Sequence, residues 1–434
     1  MSKVAVIEYF RRLARKSASD RASRALPRPF GLGILLANTL RRFADAVDFH
    51  PPHLENGMDH TKRNSRRKFL AGAGNVIAAS SLAAMWPSLA RAQAKPMTIG
   101  FLYTGVRQDY GWNQAHSVAA KQIARLDGVK LLEQENVPET AESEKVMESM
   151  IRLDGARVLF PTSFGFWPFI MKVAPKFPEV LFVHAGGLWK DGDPKNTIGY
   201  RGYMEEPHYL AGIAAGRMSK TGKIGFIGAK PLYFIFNNCN GFIMGARSVN
   251  PKITCQVLIT GDRNNPVKEA EAVNSLVDQG VDVIVGNTDS PKVVIETAER
   301  RGIYSCGYHT DLSALAPKGF LTGAEWNWAK GAEFVRAWQT GGAYPNLLRG
   351  GFKRDMVRLS PFGAAVPEAV RAEVLRARQA FADDKLALYR GPLKDNEGNV
   401  ILKAGETIDN EDNKFKLGVK FLVEGAIGKT GLAR

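Results

Sequence analysis

In Thr98-Ile99-Gly100-Phe101-Leu102-Tyr103 six residues pass without a charge, and nine residues after Tyr103 the stretch Trp112-Asn113-Gln114-Ala115-His116 opens a segment of helical spacing. An uncharged apolar run of this length, bounded by a loop, reads as a strand buried on both faces. The same alternation continues downstream. Strands are expected over 98–103, 129–134, 157–162, 180–185 and 196–202, with helices over 112–126, 140–153, 167–177 and 207–218. A second series follows: strands over 223–228, 253–260, 281–286 and 303–308, with helices over 234–249, 266–279 and 291–300. Strand and helix in strict alternation specify an α/β fold with parallel sheets. Ile99-Gly100-Phe101 and Ile224-Gly225-Phe226 open the two series alike. The fold class is therefore two doubly wound parallel-sheet lobes with a hinged cleft between them. After Leu321 the pattern turns helical over 329–340, then extended over 356–359, then helical and basic over 367–381. A hairpin turn, Asp395-Asn396-Glu397-Gly398-Asn399, falls within 391–406. The expected division is 95–220 with 325–434 as the first lobe and C-terminal extension, and 221–324 as the second lobe.

The chain has 434 residues, 59 Lys plus Arg against 43 Asp plus Glu, and a net charge of +16. Its 45% hydrophobic and 24% charged content excludes bulk disorder and a polytopic membrane protein. The charge is uneven: residues 1–94 carry 16 basic against 6 acidic groups, so +10 of the +16 sits there. Within that segment Ser65-Arg66-Arg67-Lys68-Phe69-Leu70 precedes a short Gly/Ala/Ser-rich apolar run and the small residues Ala90-Arg91-Ala92-Gln93-Ala94. This order resembles a twin-arginine export signal over 58–94, cleaved after Ala94 or, second, Ala92. Residues 1–57 have no structural period. We expect Met58 to be the true start and 1–57 a spurious extension; a disordered arm or an isolated helix over 31–46 is the structural alternative. No Cys stands at the cleavage site, and Cys239, Cys255 and Cys306 cannot form a complete disulfide framework. The mature region should be free in the periplasm, with the twin-arginine translocase as its export partner and no lipid anchor. With the signal removed, about +6 remains, and nucleic acid is not an expected partner.

Catalytic motifs are wanting. Gly72-Ala73-Gly74 lies in the export signal rather than after a strand, and neither Gly216–Lys223 nor Gly425–Thr430 has the spacing of a phosphate loop. There is no Gly-x-Ser-x-Gly and no His-Glu-x-x-His. His116, His184, His208 and His309 are not paired at metal-ligand spacing, so neither a metal nor a cofactor is expected. Aromatic and amide residues gather instead where strands end, which in an open α/β sheet is where ligands bind. Trp112 and Asn113 follow the first strand; Phe164 and Phe166 follow the third. Asp289, Tyr308 and Asp311 end strands of the second lobe, and Trp326 and Trp328 lie in a crossing segment. Flat aromatic walls with a few fixed polar groups suit a planar heteroaromatic solute, ring stacking adding ~0.5–1.5 kcal/mol per pair beyond area burial. Each residue also has a plainer reading. Phe164, Phe166 and Trp167 can be core, Asp289 and Asp311 helix caps, and Trp326 and Trp328 hinge packing.

These motifs together resemble the basic membrane protein family of ABC-transporter substrate-binding proteins, the purine nucleoside receptor-like group. The likeness runs from about 98 to 428. It rests on Gly111-Trp112-x-x-Ala115-His116, on Leu210-Ala211-Gly212-Ile213-Ala214-Ala215-Gly216 and on Gly245-Ala246-Arg247-Ser248-Val249-Asn250-Pro251. Thr288-Asp289-Ser290-Pro291, Gly307-Tyr308-His309-x-Asp311 and Gly391-Pro392-x-x-Asp395-x-x-Gly398 complete it. The resemblance implies a type I periplasmic-binding fold, no enzymatic activity, and delivery of a purine-type solute to the permease and ATPase subunits of an importer. It implies stacking by Trp112 and Phe164, with Phe166 beside it, and polar contacts from Asn113 and Asp289. Tyr308, Asp311 and Trp326 or Trp328 would complete the site from the second lobe and the crossing. Nucleoside binders of the family place an Asp on the ribose hydroxyls where His309 stands here, which implies a free nucleobase, adenine-like, over a nucleoside. Asn287 stands where that branch has His, and Tyr233–Asn238 also diverges. A nucleoside or another small amide-bearing solute is the alternative ligand, and an exported nucleosidase the rival activity.

Overall fold

The computed structural model describes residues 96–432; the expected export signal and the 1–57 extension lie outside them. The chain enters with β1 (Met97–Leu102), α1 (Trp112–Ile123), β2 (Val129–Gln134), α2 (Glu142–Arg152), β3 (Ala156–Pro161), α3 (Trp167–Val173), β4 (Leu181–Ala185) and β5 (Thr197–Gly202). It continues with α4 (Glu205–Met218), β6 (Lys223–Gly228), α5 (Tyr233–Val249), β7 (Thr254–Ile259), α6 (Pro266–Asp278), β8 (Val283–Asn287), α7 (Lys292–Arg300), β9 (Tyr304–His309) and β10 (Phe320–Trp326). Next come α8 (Gly331–Thr340), β11 (Leu347–Gly350), β12 (Val357–Leu359), α9 (Glu368–Ala382), the hairpin β13 (Leu393–Lys394) and β14 (Val400–Leu402), α10 (Asn413–Leu417) and β15 (Ala426–Ile427).

Two sheets result, in the orders β11-β5-β4-β3-β1-β2 and β12-β10-β9-β8-β6-β7-β15. The first five strands of each lobe share one order, 2-1-3-4-5 and 7-6-8-9-10, so the Ile-Gly-Phe echo marks equivalent strands. All pairings in the two sheets are parallel except β10 with β12. The inner strands are buried because helices cover both faces: every residue of β4 and β8 is buried, whereas none of the edge strand β2 is. The helices carry the complementary stripe. In α2 only Ser143, Met147, Met150 and Ile151 are buried, three or four residues apart. Helix α6 starts on Asn265, whose side chain accepts the Lys268 N–H at 3.2 Å, while Glu269 accepts the Asn265 N–H at 3.1 Å.

Sheet membership differs from the expected division at both ends. Helix α4, expected in the first lobe, packs on α5 and β10 of the second. The cause is a glycine seam: a Cβ on Gly212 would lie 2.1 Å from the Phe242 carbonyl oxygen, and one on Gly245 1.9 Å from that of Tyr209. Two helix backbones this close cannot separate into different lobes. The C-terminal extension likewise joins the second lobe rather than the first. Only the α8–β11 segment returns to the first sheet. Then β12 pairs with β10, α9 packs on α4, and β15 pairs with β7. Strand β10 itself was not foreseen, since Phe-Leu-Thr-Gly-Ala-Glu-Trp lacks both a long apolar run and clean alternation. The chain thus crosses between lobes three times, and the crossings are tied to one another. The Tyr203 N–H donates to Gly350 O at 2.8 Å, the Asn327 N–H to Met356 O at 3.1 Å, and Asn327 Nδ2 to Asp355 O at 2.7 Å.

Candidate functional site

A strand order of 2-1-3-4-5 creates a switch point between strands 1 and 3, where connections leave in opposite directions and a crevice opens at the carboxyl ends. Both lobes present that edge to the same space, a cavity of about 270 Å³. Trp112 follows β1 and Ser163 and Phe164 follow β3; Ala229 and Lys230 follow β6, and Asn287, Thr288 and Asp289 close β8. Tyr308 and His309 on β9 with Trp326 and Trp328 at the second crossing complete the wall.

Trp112 is aimed by the start of α1. The Asp109 carboxylate accepts the backbone N–H groups of Gly111 (2.9 Å), Asn113 (3.0 Å) and Gln114 (2.9 Å), doing the work of a cap that Gly111 cannot do itself. Asn113 Nδ2 donates to the same carboxylate at 2.8 Å. Asn113, expected to read the ligand, is thus turned away from the cavity and belongs to the cap. The Trp112 indole N–H donates to Thr162 O at 2.6 Å, fixing the ring across the switch point of the first lobe. It stands edge-on to Trp326 and Trp328, with centroids 5.7 and 5.6 Å away. Trp326 stacks on Trp328, and Trp328 on the buried His116, each pair 4.6 Å apart with planes 16° from parallel. Trp326 ends β10 and Trp328 opens a 3-10 turn, and their stacked rings build one wall.

Phe164 lines the cavity and is 44% exposed, leaving a ring face open. Phe166, expected beside it, does not line the cavity. The single 3-10 turn Phe164–Phe166 directs it into the first-lobe core with Leu102, Ile170 and Phe182. Asp311 is absent from the cavity too: it is exposed, and its carboxylate accepts the Ser313 N–H at 2.9 Å, a cap on the turn Ser313–Leu315. Asp289 behaves oppositely. It lines the cavity and caps nothing, and burial pushes its carboxyl up to about 6, against the pull of Arg263.

His309 is committed to the protein. Trp326 Nε1–H donates to His309 Nδ1 at 2.9 Å, so the ring proton must sit on Nε2, which donates to Thr288 O at 2.9 Å. Burial holds the imidazole down at about 3, so it stays neutral. The same logic fixes Asn287. His208 Nδ1–H donates to Met204 O at 2.7 Å, leaving Nε2 to accept from Asn287 Nδ2 at 3.0 Å. Sequence reasoning missed Thr104, Ser163, Arg201, Lys230 and Arg263, which the structure adds to the wall. Arg201 stands at the carboxyl end of β5, the place that Tyr308 holds on β9, but a single arginine there reads as an ordinary solvated charge. Among the described residues no cluster of three or more His, Cys, Asp or Glu could hold a metal, and no helix is long and apolar enough to cross a membrane.

The lobes touch at the cavity's rim. The Trp112 N–H donates to Asp289 O at 2.9 Å and Ser290 Oγ to Asp109 O at 2.5 Å. Arg263 pairs with Glu139 at 3.1 Å, and Glu139 also accepts from Ser163 Oγ and the Gly165 N–H.

Residues 97–383 match the family model described as ABC transporter substrate-binding protein PnrA-like, Bmp. The chain belongs to this family of solute-binding proteins. A purine-binding protein of Brucella abortus is 33% identical over 359 residues, covering 82% of this chain and 99% of that one. A putative ABC transporter glucose-binding protein of Haloferax volcanii is 27% identical, covering 71% and 78%. Among solved structures, an ABC transporter solute-binding protein of Conexibacter woesei superposes with a TM-score of 0.58 at 21% identity, covering 68% of this chain and 98% of that one. A transcriptional activator of Bacillus halodurans reaches 0.59 at 22% identity, with coverages of 67% and 99%. At these identities the superpositions establish the fold: two parallel-sheet lobes of the periplasmic-binding type. Family membership makes the Bmp chain the substrate-binding component of an ABC transporter, working with permease and ATPase subunits on a small solute.

Proposed function

We propose that this Bmp-family protein binds a free purine nucleobase, adenine-like, between its lobes and is non-enzymatic. The observation that carries the reading is the Trp326–His309–Thr288 chain of hydrogen bonds. The position from which nucleoside binders of the family grip ribose is here a neutral imidazole with both nitrogens spent inside the protein. It has no acceptor left for a sugar hydroxyl. Trp112 and Phe164 offer ring faces to a planar solute. Asp289, half-buried and without a capping role, offers an acceptor to a ring N–H or exocyclic amine, and Tyr308, Trp326 and Trp328 pack the far side. The Brucella abortus relative's name supports the purine class. We further propose release into the periplasm by the twin-arginine route after cleavage at Ala94, without a lipid anchor.

Thermal unfolding across bases, nucleosides and small amides tests the ligand. A solute at 100 times its Kd stabilises by about 2.7 kcal/mol, which is readily measured. Adenine-type bases should raise the midpoint and their nucleosides should not; strong shifts with inosine or guanosine and none with any base would overturn the reading. Release of free base from a nucleoside would restore the nucleosidase. Mass spectrometry of the native protein should give an N-terminus at Lys95.

A further inference from the structure

A second, smaller cavity of about 110 Å³ adjoins the first and shares Arg201, Tyr233 and Phe234 with it. It sits where the first and third crossings leave the first lobe, and its charged residues are Arg201, Arg349, Lys416 and Glu205. Lys416 and Glu205 neutralise each other: the pair is 2.6 Å apart and both side chains are buried, the ammonium resting 3.4 Å from the Tyr203 ring centroid. The two arginines have no such partner. Arg201 on β5 and Arg349 on β11 are directly paired across parallel strands and line the same small space. Like charges directly opposite on neighbouring strands are destabilising. Neither guanidinium forms an ion pair with a carboxylate among the described residues, whereas nearby Arg354 holds Glu411 through two bonds of 2.7 and 2.6 Å.

What holds the two arginines in place is neutral. Arg201 lies 4.7 Å from the Phe234 ring centroid and donates to Tyr233 OH at 3.2 Å; Arg349 donates to Gly187 O. These contacts orient the forks without cancelling their charge. Burial and the neighbouring Arg201 both disfavour the charged form of Arg349, the direction expected for cations gathered around an unfilled demand for negative charge. Guanidinium forks are matched to carboxylate and phosphate groups.

We propose that this second cavity is an oxyanion subsite, in which Arg201 and Arg349 together clamp one carboxylate or phosphate group. The group comes either as a free anion or as a substituent on the solute, since Arg201 also faces the larger cavity. The subsite does not depend on the purine reading, because its residues apart from the shared wall lie outside the aromatic cavity.

The test uses the mature chain in buffers of matched ionic strength. Inorganic phosphate should raise the thermal midpoint above that in chloride, saturating with concentration. Arg349→Met should abolish this increment, should be at least as stable as the parent in chloride, where like-charge repulsion has been relieved, and should keep the shift produced by the purine base. If that variant does not fold, Arg349→Lys, which retains the charge but not the fork, should bind phosphate roughly tenfold more weakly. Additive shifts from base and phosphate identify a free anion. A carboxylated or phosphorylated purine that binds at least tenfold tighter than its neutral parent and displaces phosphate places the anion on the solute. Phosphate, sulfate and acetate all giving no more than chloride, with anionic solutes no tighter than neutral ones, would overturn the subsite. Failure of every purine to bind while phosphate still stabilises would overturn the ligand reading alone.

Discussion

Asp289 and Asp311 occupy similar places in the sequence, one strand apart and each ahead of a helical stretch, yet they do different things. Asp311 spends its carboxylate on the Ser313 N–H in solvent. Asp289 keeps its own for the cavity, and burial pushes it up to about 6. A carboxyl raised in the folded state binds its proton more tightly there than in the unfolded chain. Its contribution to stability is therefore fully present below pH 4 and is lost as pH rises through 6, amounting to about 3 kcal/mol by neutrality. A base that donates an N–H is held more strongly by the ionised form. Its affinity should accordingly fall up to about tenfold per pH unit below 6, and calorimetry from pH 4.5 to 8 should show proton release on binding at the acid end. Asp289→Asn should flatten both the affinity and the stability profiles over this range. Which acidic residue faces the cavity was not legible, because an N-cap and a cavity-lining acceptor use the same residue types in the same place. Asn113 was misread for that reason: Asp109, four residues earlier, captures its side chain. Trp112, Phe164 and Tyr308, expected at strand ends, and Trp326 and Trp328, expected in a crossing segment, all line the cavity. Arg201 also stands at a strand's carboxyl end, but nothing local distinguishes an arginine that lines a cavity from one that is solvated.

At the scale of elements, parallel strands advertise themselves because both faces are buried, and the strand order then follows from two similar series. Helix placement is another matter. The glycines of Leu210–Gly216 and Gly245 carried part of the family resemblance, and the structure gives them a purely mechanical role in the seam between α4 and α5. Contacts between helices distant in sequence leave no periodic trace, so the lobe to which α4 belongs could not be read. A methyl group at Gly245 would meet the Tyr209 carbonyl oxygen at 1.9 Å, where backbone, not a pliable side chain, must move. Gly245→Ala should cost about 1–3 kcal/mol of unfolding free energy in a denaturant titration, with ligand selectivity unchanged in the folded fraction. Strand β10 shows the converse limit. Its Gly323 lets β10 approach Gly307 on β9, since a Cβ there would lie 2.8 Å from the Gly307 Cα. The residue that breaks the sequence pattern is the one the pairing requires.

For the whole molecule, the cavity lies between lobes joined by three crossing segments, an arrangement suited to hinge closure. The rim contacts are where closure must be completed. Gly111 lies so near the second lobe that a Cβ would come within 1.9 Å of Asp289 O. Gly111→Ala should therefore keep the lobes apart: base affinity should fall at least tenfold while the thermal midpoint of the ligand-free protein stays within a few degrees, and small-angle scattering with saturating base should give a larger radius of gyration than the parent. The exposed Arg263–Glu139 pair should matter much less, since surface ion pairs contribute at most about 1 kcal/mol and weaken with salt.

The rim also relies on main chain: the Trp112 amide meets the Asp289 carbonyl, and the Asp109 carbonyl accepts the Ser290 hydroxyl, with Arg263–Glu139 as a side-chain pair beside them. Peptide groups do not change when side chains mutate. Substitutions at Phe164, Arg201, Lys230 or Tyr308 can therefore alter which solute is preferred while leaving the closing contacts as they are. Such a receptor can acquire a new cargo by point mutation and still present its importer with the same outer shape. By the same reasoning it can be converted into a sensor for other flat molecules without redesigning its movement.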